Sequence, residues 1–390
     1  MIVSQPVSRR SLLKSGGILT ALGMLHLPFS AYAKKIPRDH GTLLPFLDVQ
    51  PGGKMLKWEN MTQWITPTDQ VFAVSHYGIP KVDEKTWKLE ISGLVKKPLS
   101  LSLEQIKERR KKHVFATLEC SGNSSNPAFM GAIGNIRWTG TPLRSLLNEA
   151  GVNPRAVEAV FFGADEKVEK IREKEYLQNF ARSLLMDAAR SEDVILAYEM
   201  NGEPLGTEHG APLRLIVPGW FGIAWVKWLT RIELSDRRYM SKYMGREYVT
   251  IRGEEHNGKT IWRETSVGQK DVKSIVARAL KKSDGSIQFF GAAWTDGSPL
   301  SKVEIQIRSS DKESPGDRWI KTELDLTQQS KYSWTFFNYE WKNPTSGDWY
   351  IVSRATDGEG RVQPSIDDEA IKLKRTYWEA NQQWPRKLRV

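Results

Sequence analysis

Cysteine is almost absent from this sequence, since Cys120 is the single cysteine among 390 residues. The chain therefore cannot form an intrachain disulfide, a cysteine-rich zinc site, a thiolate-bound iron–sulfur cluster or a C-x-x-C-H haem attachment. Its six histidines include no H-x-x-x-H pair, which argues against a zinc site. Any thiol chemistry must come from Cys120 alone.

The composition excludes several classes of protein. Apolar residues make up 39% and charged residues 26%, which is typical of a water-soluble globular protein and unlike a disordered, collagen-like or coiled-coil chain. The length leaves room for two domains. The net charge is +11, but lysine and arginine are spread along the chain, so the sequence favours an anionic ligand or acidic partner over nucleic acid.

The N-terminal segment looks like an export signal. Residues 8–14 read S-R-R-S-L-L-K, and a mild apolar stretch then runs to A-Y-A at 31–33. The pattern predicts a twin-arginine signal peptide over residues 1–33 and a periplasmic protein. The alternative is a membrane anchor, for which the stretch is short and interrupted by Gly16 and Gly17. Because the twin-arginine translocase exports folded proteins, this signal favours a protein that acquires a complex cofactor before export.

The next part of the chain mixes helices and strands. Apolar alternation from Trp87 predicts a strand, and Ser102 has the position of a helix cap. Helices are predicted over 103–112, 144–150 and 177–189, and strands over 114–120, 157–162, 213–220 and 226–234.

The last part of the chain predicts a β-sandwich. Short strands are expected at 275–280, 287–294, 303–307, 332–337 and 349–356, separated by D-G, S-P-G and S-G turns. The predicted organisation is therefore α+β, with a catalytic domain over 34–265 and a sandwich domain over 266–390.

Four side chains in the sequence are candidates for catalysis or ligand binding. Cys120 ends a buried strand before a glycine- and serine-rich loop, where a thiol serves as a nucleophile, a soft metal ligand or simply a small core residue. His209 and Arg214 begin another strand and suit a phosphate, or else are a turn histidine and a surface arginine. Lys227 lies in the apolar run V-K-W-L, where a buried lysine needs an anionic partner.

Longer motifs resemble the sulfite oxidase family of molybdopterin enzymes. They span nearly all of the chain after residue 33. The motifs are W-K-L-E-I-S-G-L-V-K-K-P-L-S-L-S-L (87–103), A-T-L-E-C-S-G-N (116–123), G-A-I-G-N-I-R-W-T-G-T-P-L (131–143), L-A-Y-E-M-N-G-E-P-L (196–205), H-G-A-P-L-R-L-I-V-P-G (209–219) and V-K-W-L (226–229). G-A-A-W-T-D-G-S-P-L-S-K-V-E-I (291–305) and R-A-T-D-G-E-G-R-V-Q-P (354–364) resemble the family's C-terminal immunoglobulin-like dimerisation domain.

This resemblance implies a site. Cys120 matches the thiolate that ligates molybdenum, and Tyr248, with Arg246 beside it, matches the tyrosine that faces the metal's reactive oxygen. The positions that match residues holding the pterin and its phosphate are Phe72, His76, Asp165, His209, Arg214 and Lys227.

The resemblance also implies an activity. It is oxidation of sulfite to sulfate by oxygen-atom transfer, followed by transfer of single electrons to a partner. Because this chain has no haem attachment motif, the expected partner is a soluble c-type cytochrome. The sandwich domain implies a homodimer.

The match departs from the family at the substrate anion. Two positions expected to hold arginines carry Val74 and Ser125, a phosphate-side arginine is replaced at Ala224 or Trp225, and Arg375 is the nearest match to a third substrate arginine. The alternative is therefore that the same cofactor acts on another sulfur compound or on an S- or N-oxide. A third possibility is a binding module that has no cofactor.

Overall fold

A computed structural model of the chain describes residues 41–48, 52–310 and 318–390. The predicted signal peptide, residues 1–33, lies outside the described residues. Within the described part, no helix has the length and apolar character needed to span a membrane.

Strands dominate the described residues. They are β1 Gly41–Leu44, β2 Leu89–Gly93, β3 Leu99–Leu101, β4 Lys112–Glu119, β5 Ile133–Pro142, β6 Glu158–Ile171, β7 Lys174–Leu185, β8 Ile195–Met200, β9 Glu203–Pro204, β10 Arg214–Ile216, β11 Leu229–Ser235, β12 Val249–His256, β13 Lys259–Ser266, β14 Lys273–Lys282, β15 Ile287–Trp294, β16 Leu300–Ser309, β17 Ile320–Lys321, β18 Glu323–Asp325, β19 Thr335–Trp341, β20 Asp348–Asp357 and β21 Arg386–Arg389. The α-helices are α1 Leu103–Lys107, α2 Leu143–Ala150, α3 Met186–Ala189 and α4 Glu369–Lys372. Single 3-10 turns cover Trp58–Asn60, Thr68–Gln70, Pro127–Phe129, Thr207–His209 and Gly222–Ala224, and a π turn covers Lys242–Arg246.

The first structural unit contains one mixed sheet, one antiparallel sheet and the helices α1 to α3. One sheet has the order β3-β2-β11-β6-β7, with β11 parallel to β2, and the other has the order β10-β8-β5-β4. Side chains from both sheets, among them Ile91, Ile136 and Ile232, share one buried core. The α+β prediction for this part of the chain is confirmed.

The second unit is the predicted β-sandwich. Its sheets have the orders β1-β14-β15-β19-β18 and β17-β16-β20-β21, and buried residues such as Phe289 and Ile351 fill the space between them. The sandwich prediction is confirmed, with one difference in its boundary. Strand β1, which the sequence places in the catalytic domain, pairs with β14 at the edge of the sandwich, because an open sheet edge offers backbone partners to a segment from any part of the chain.

The helix predicted over 177–189 is wrong. This segment is strand β7, which forms a long antiparallel hairpin with β6, and only Met186–Ala189 is helical. The residues from Phe180 to Leu184 are all buried, so the segment lacks the alternation of buried and exposed positions that identifies a half-buried strand, and the sequence pattern alone does not separate it from a helix. Pairing with β6 therefore determines the conformation.

Two predicted boundaries also shift. Helix α1 begins after a capping box at Ser102, as predicted, but it ends at Lys107 instead of 112, because residue 112 already pairs in the β4–β5 ladder. Strand β11 begins at Leu229 instead of 226. Lys227 therefore lies in the segment that leads into the strand and not within it.

A cluster rich in tryptophan joins the two units. The indole nitrogen of Trp64 donates to the carbonyl of Trp334 at 3.1 Å, and the indole of Trp334 donates to the carbonyl of Trp64 at 2.9 Å. Trp58 from the first unit stacks on Trp294 of β15, with ring centroids 5.9 Å apart. These reciprocal contacts join the first unit and the sandwich through buried side chains on both sides.

The β6–β7 turn yields a stability prediction. Its two residues, Arg172 and Glu173, both have left-handed backbone angles, with φ of 48° and 68°. Replacing them together, Arg172→Asn with Glu173→Gly, should raise the free energy of unfolding by about 1 kcal/mol, because asparagine and glycine adopt this turn with less strain. Urea denaturation measures the change.

The β12–β13 turn provides the matched control. It already carries Asn257 and Gly258 in the same geometry, with φ of 51° and 73°. The reverse exchange there, Asn257→Arg with Gly258→Glu, should lower the stability by a similar amount. An unchanged denaturation midpoint in both variants would contradict this account of the turn.

Candidate active site

One cavity collects most of the residues that the sequence singles out. The predicted site residues that line it are Phe72, His76, Cys120, Asp165, His209, Arg214, Lys227 and Tyr248. These residues come from separate segments of the first unit, and the two sheets bring them to one place.

Cys120 lies in a tight turn directly after β4. Its backbone N–H donates to the carbonyl of Ala132 at 2.9 Å, and its own carbonyl accepts from the N–H of Asn123 at 2.9 Å. Burial raises the pKa of the thiol, so the thiol stays protonated unless a cation or metal binds it. Among the described residues, no three histidine, cysteine, aspartate or glutamate side chains are grouped so that they could hold a metal ion. A metal at Cys120 would therefore take its other ligands from a cofactor.

Another part of the cavity lining carries buried positive charge. The Arg214 guanidinium donates to the carbonyls of His209 at 2.9 Å and Trp225 at 3.4 Å, and the Lys227 ammonium donates to the carbonyl of Glu208 at 2.9 Å. Burial lowers the pKa of Arg214 to about 9. Burial and the charge of Arg214 together lower the pKa of Lys227 to about 7. A bound anion would stabilise both cations.

Several buried polar atoms in this cavity have no hydrogen-bond partner. They include Nε of Arg214, Oδ1 of Asp165 and Oγ of Ser121. Burial also raises the pKa of Asp165 to about 6, so its carboxyl is mostly an ionised acceptor at pH 7 and becomes a donor only as the pH falls below 6. Unpaired donors and acceptors beside two cations fit a polar ring system that carries a phosphate. The cavity therefore fits a pterin cofactor.

Gly210 lets the chain pass against Lys227. Its φ is +101°, and a Cβ atom at this position would lie 2.9 Å from the Cβ of Lys227. The next tryptophan, Trp228, donates from its indole nitrogen to the carbonyl of Thr207 at 2.8 Å, and the Lys227 ammonium lies 4.1 Å from the centroid of its ring. The H-G-A-P motif and the V-K-W-L motif thus form one cradle.

Tyr248 and His76 form a hydrogen-bonded pair in the cavity. Tyr248 Oη lies 2.7 Å from His76 Nε2, and the tyrosine ring stacks on Trp378 with centroids 4.1 Å apart. Burial and the charge of Lys227 lower the pKa of His76 to about 4, so the imidazole is neutral at pH 7. Burial raises the pKa of Tyr248. The pair is therefore neutral, with one hydroxyl proton and one imidazole proton.

Comparisons with known proteins agree with this cavity. Residues 76–243 match the family described as "Oxidoreductase molybdopterin binding domain". The chain is 30% identical over 336 residues to the mitochondrial sulfite oxidase of Drosophila melanogaster, covering 77% of this chain and 56% of that protein. It is 26% identical over 357 residues to the sulfite oxidase of Arabidopsis thaliana, covering 84% and 88%.

The chain belongs to the sulfite oxidase family of molybdopterin-binding oxidoreductases.

Other members of this family catalyse different reactions. A nitrate reductase [NAD(P)H] of Hordeum vulgare is 34% identical over 314 residues, covering 71% of this chain and 34% of that protein. The crystal structure of the sulfane dehydrogenase SoxCD from Paracoccus pantotrophus superposes with a TM-score of 0.71 at 24% identity, covering 97% of this chain and 96% of that chain, and it shows that the fold is shared. The chain spans about half of the fly protein and a third of the barley protein, so family membership leaves the substrate open.

Two arginines with predicted catalytic roles do not line the cavity. Arg246 is exposed, and its guanidinium lies 3.4 Å from Oε1 of Gln178. Arg375 is also exposed, because its side chain extends over the ring of Trp262 on the β12–β13 hairpin, 4.7 Å from the centroid. Their action on the substrate therefore stays a prediction, which the position of these two side chains outside the cavity does not support.

The two positions that lack the family arginines lie in different places. Val74 lines the main cavity and is 46% exposed, so it stands at the opening. Ser125 lines a neighbouring outer pocket together with Phe129 and Tyr377. Uncharged side chains therefore occupy both positions where an anionic substrate of this family would meet arginine.

Arg182 is a residue that the sequence reasoning missed. It is 2% exposed and donates to the carbonyls of Tyr243 and Val267 and to Oγ of Ser266. The N–H of Val267 in turn donates to the carbonyl of Tyr248 at 2.8 Å, so Arg182 supports the segment on both sides of this tyrosine. A charge within the apolar run F-A-R-S-L-L was the available signal, and the incorrect helix prediction concealed it.

The cation cluster predicts how anion binding depends on pH. Lys227, with a pKa of about 7, is mostly charged at pH 6 and mostly neutral at pH 8. The affinity of the cofactor-free protein for inorganic sulfate should therefore fall about tenfold over this interval, as the charged fraction does. Isothermal titration calorimetry at the two pH values measures the affinity.

The matched control is Lys227→Met. This variant should bind sulfate weakly at both pH values and lose most of the pH dependence, with a remainder from Asp165, whose pKa of about 6 lies in the same interval. The same tenfold fall in the variant would contradict the assignment to Lys227.

Proposed function

We propose that this protein is a molybdenum-cofactor oxidoreductase that oxidises sulfite to sulfate by oxygen-atom transfer. The observation that carries the proposal is that one cavity contains a lone thiol, a buried cation cluster and a neutral tyrosine–histidine pair. The relatives named sulfite oxidase in fly and Arabidopsis support this choice of substrate. The overall reaction converts sulfite and water into sulfate, two protons and two electrons.

Different residues of the cavity would bind the phosphate, the ring system and the metal of the cofactor. Arg214, Lys227 and His209 would hold the phosphate of the pterin, and Asp165 would hydrogen-bond to its ring system. Cys120 would ligate molybdenum as a thiolate, since a soft metal centre favours sulfur. When bound, the cofactor supplies the two-electron chemistry and the oxygen that is transferred.

Tyr248 and His76 would position a proton beside the reacting sulfur. A neutral His76 can donate its Nε2–H to the phenol oxygen, which leaves the Tyr248 O–H free to donate into the cavity. Because the pKa of Tyr248 is raised, the hydroxyl remains a donor at neutral pH. Its contacts with Trp378 and Val267 hold the ring in one orientation, which favours a preorganised donor.

The electrons would leave one at a time to a separate protein. We propose a soluble c-type cytochrome as the acceptor, because the lone cysteine rules out covalent haem attachment within this chain. Residues 1–33 support a periplasmic location, reached through the twin-arginine translocase. A homodimer built on the sandwich unit remains a prediction from the family resemblance.

A second candidate substrate is a neutral sulfur compound or an S- or N-oxide. It is favoured by the uncharged side chains of Val74 and Ser125 and by the position of Arg246 and Arg375 outside the cavity. A doubly charged anion that loses its water without cationic partners loses several kcal/mol of binding. A neutral substrate avoids this cost.

Metal analysis followed by turnover tests the proposal. Protein produced with its cofactor should contain about one molybdenum per chain and reduce ferricyanide and cytochrome c when sulfite is added. The Michaelis constant for sulfite should rise with salt concentration if charged residues bind the anion.

Cys120→Ser should lose the metal and the activity. Bound molybdenum without sulfite turnover would favour the second candidate, and absence of molybdenum would reject both.

Tyr248→Phe should slow turnover at least about tenfold and leave the molybdenum content unchanged, because it removes the hydroxyl donor but keeps the stacked ring. Steady-state kinetics with metal analysis measure both effects. The matched control is Tyr243→Phe, which changes a neighbouring buried tyrosine that does not line the cavity. An unchanged rate in Tyr248→Phe would contradict the role given to this hydroxyl.

A further inference from the structure

A single buried lysine of the sandwich unit connects three segments around Cys120. Lys273 is the first residue of β14 and is 3% exposed. Its ammonium donates to Oε1 of Glu119 at 2.8 Å, to the carbonyl of Asn123 at 2.8 Å and to the carbonyl of Ala380 at 2.7 Å. A lysine has three donors, and here each has a partner.

The carboxylate of Glu119 is equally well satisfied. It is 1% exposed, and besides Lys273 it accepts from Nδ2 of Asn123 at 3.0 Å and from the indole nitrogen of Trp294 at 2.7 Å. Asn123 also accepts at Oδ1 from the N–H of Ala132, at 3.1 Å. These hydrogen bonds offset part of the cost of removing the two charges from water, and breaking the pair by removing one partner would leave a buried charge unpaired.

The location of this ion pair is more informative than its strength. Glu119 immediately precedes Cys120, and Asn123 ends the turn that contains it, so one ammonium binds both ends of the cysteine turn. The third contact, to Ala380, brings the C-terminal segment against the same turn, and the N–H of Ala380 lies 3.4 Å from the carbonyl of Ser121. The sandwich unit therefore constrains the segment that presents the thiol.

We propose that Lys273 is a positioning residue for Cys120, through which the sandwich unit holds the thiol in the orientation needed to ligate a metal. The proposal rests on the proposed function in one respect, the assignment of Cys120 as the metal ligand. It assigns the sandwich unit a part in the active site in addition to any part in assembly.

The test is the alkylation rate of Cys120 in cofactor-free protein. Because the chain has one cysteine, the intact mass after iodoacetamide treatment reports this thiol alone. The main variant is Glu119→Gln with Lys273→Met, which removes both charges and leaves the local net charge unchanged. Its alkylation should be about tenfold faster than in the wild type, equivalent to about 1.4 kcal/mol of lost restraint on the turn.

Lys270→Met is the matched control. Lys270 is another buried lysine, three residues earlier, but its ammonium donates to the carbonyl of Thr117 at 2.7 Å and not to the cysteine turn. This variant should show alkylation no faster than the wild type. Lys273→Met alone is the second variant if the double variant does not fold, as judged by circular dichroism. Because the unpaired Glu119 charge raises the pKa of the thiol, its alkylation is measured over a pH series and compared per thiolate, and that rate should also be faster than in the wild type.

The outcomes separate this proposal from the proposed function. A folded variant at Lys273 with the wild-type alkylation rate, or an equal increase in Lys270→Met, would overturn the positioning role. Faster alkylation together with reduced molybdenum retention in the loaded enzyme would support it. A wild-type protein that never binds molybdenum would reject the proposed function but leave the alkylation result interpretable.

Discussion

The site depends on two buried cations, Arg214 and Lys227, that lie side by side in the cavity lining. Arg214 is 3% exposed and is bonded to backbone carbonyls, and Lys227 lies beside it with a pKa lowered to about 7. Such a pair destabilises the protein unless an anion joins it. The β10 strand, the Gly210 turn and the Trp228 contact all hold these two cations against one cavity. The cofactor would therefore contribute to the stability of the fold as well as to its chemistry.

The two units of the protein meet where Cys120 and Tyr248 line the cavity. Trp378, from the segment between β20 and β21, stacks on Tyr248, and Lys273 binds both ends of the cysteine turn. The tryptophan-rich cluster packs the two units against each other beside these contacts. The first unit supplies the residues that would hold the cofactor, and the second unit contacts the Tyr248 ring and the turn that contains Cys120. An account of catalysis in this protein needs both units.

Most of the candidate site could be predicted from the sequence, because short motifs carry it. Residues such as Cys120 and Lys227 lie in local patterns whose chemistry is unusual for their surroundings. The side chains that support the site could not be predicted in this way. Arg182, Lys273 and Trp378 are far from the motifs in sequence and reach the site only through long-range pairing of strands and tails. The position of Arg246 and Arg375 outside the cavity could not be predicted for the same reason, since adjacency in sequence does not determine where a long side chain points.

The sequence by itself determined the class of chemistry, the α+β core, the following sandwich and the single possible thiol ligand, because each depends on residue type and local periodicity. Only the tertiary structure decided that the run around Phe180 is a strand, that β1 belongs to the sandwich, and that Val74 and Ser125 line different pockets. A buried strand and a buried helix share the same apolar pattern, and an edge strand binds wherever backbone donors and acceptors are free. These choices are made by packing between distant segments, which no local stretch of sequence contains.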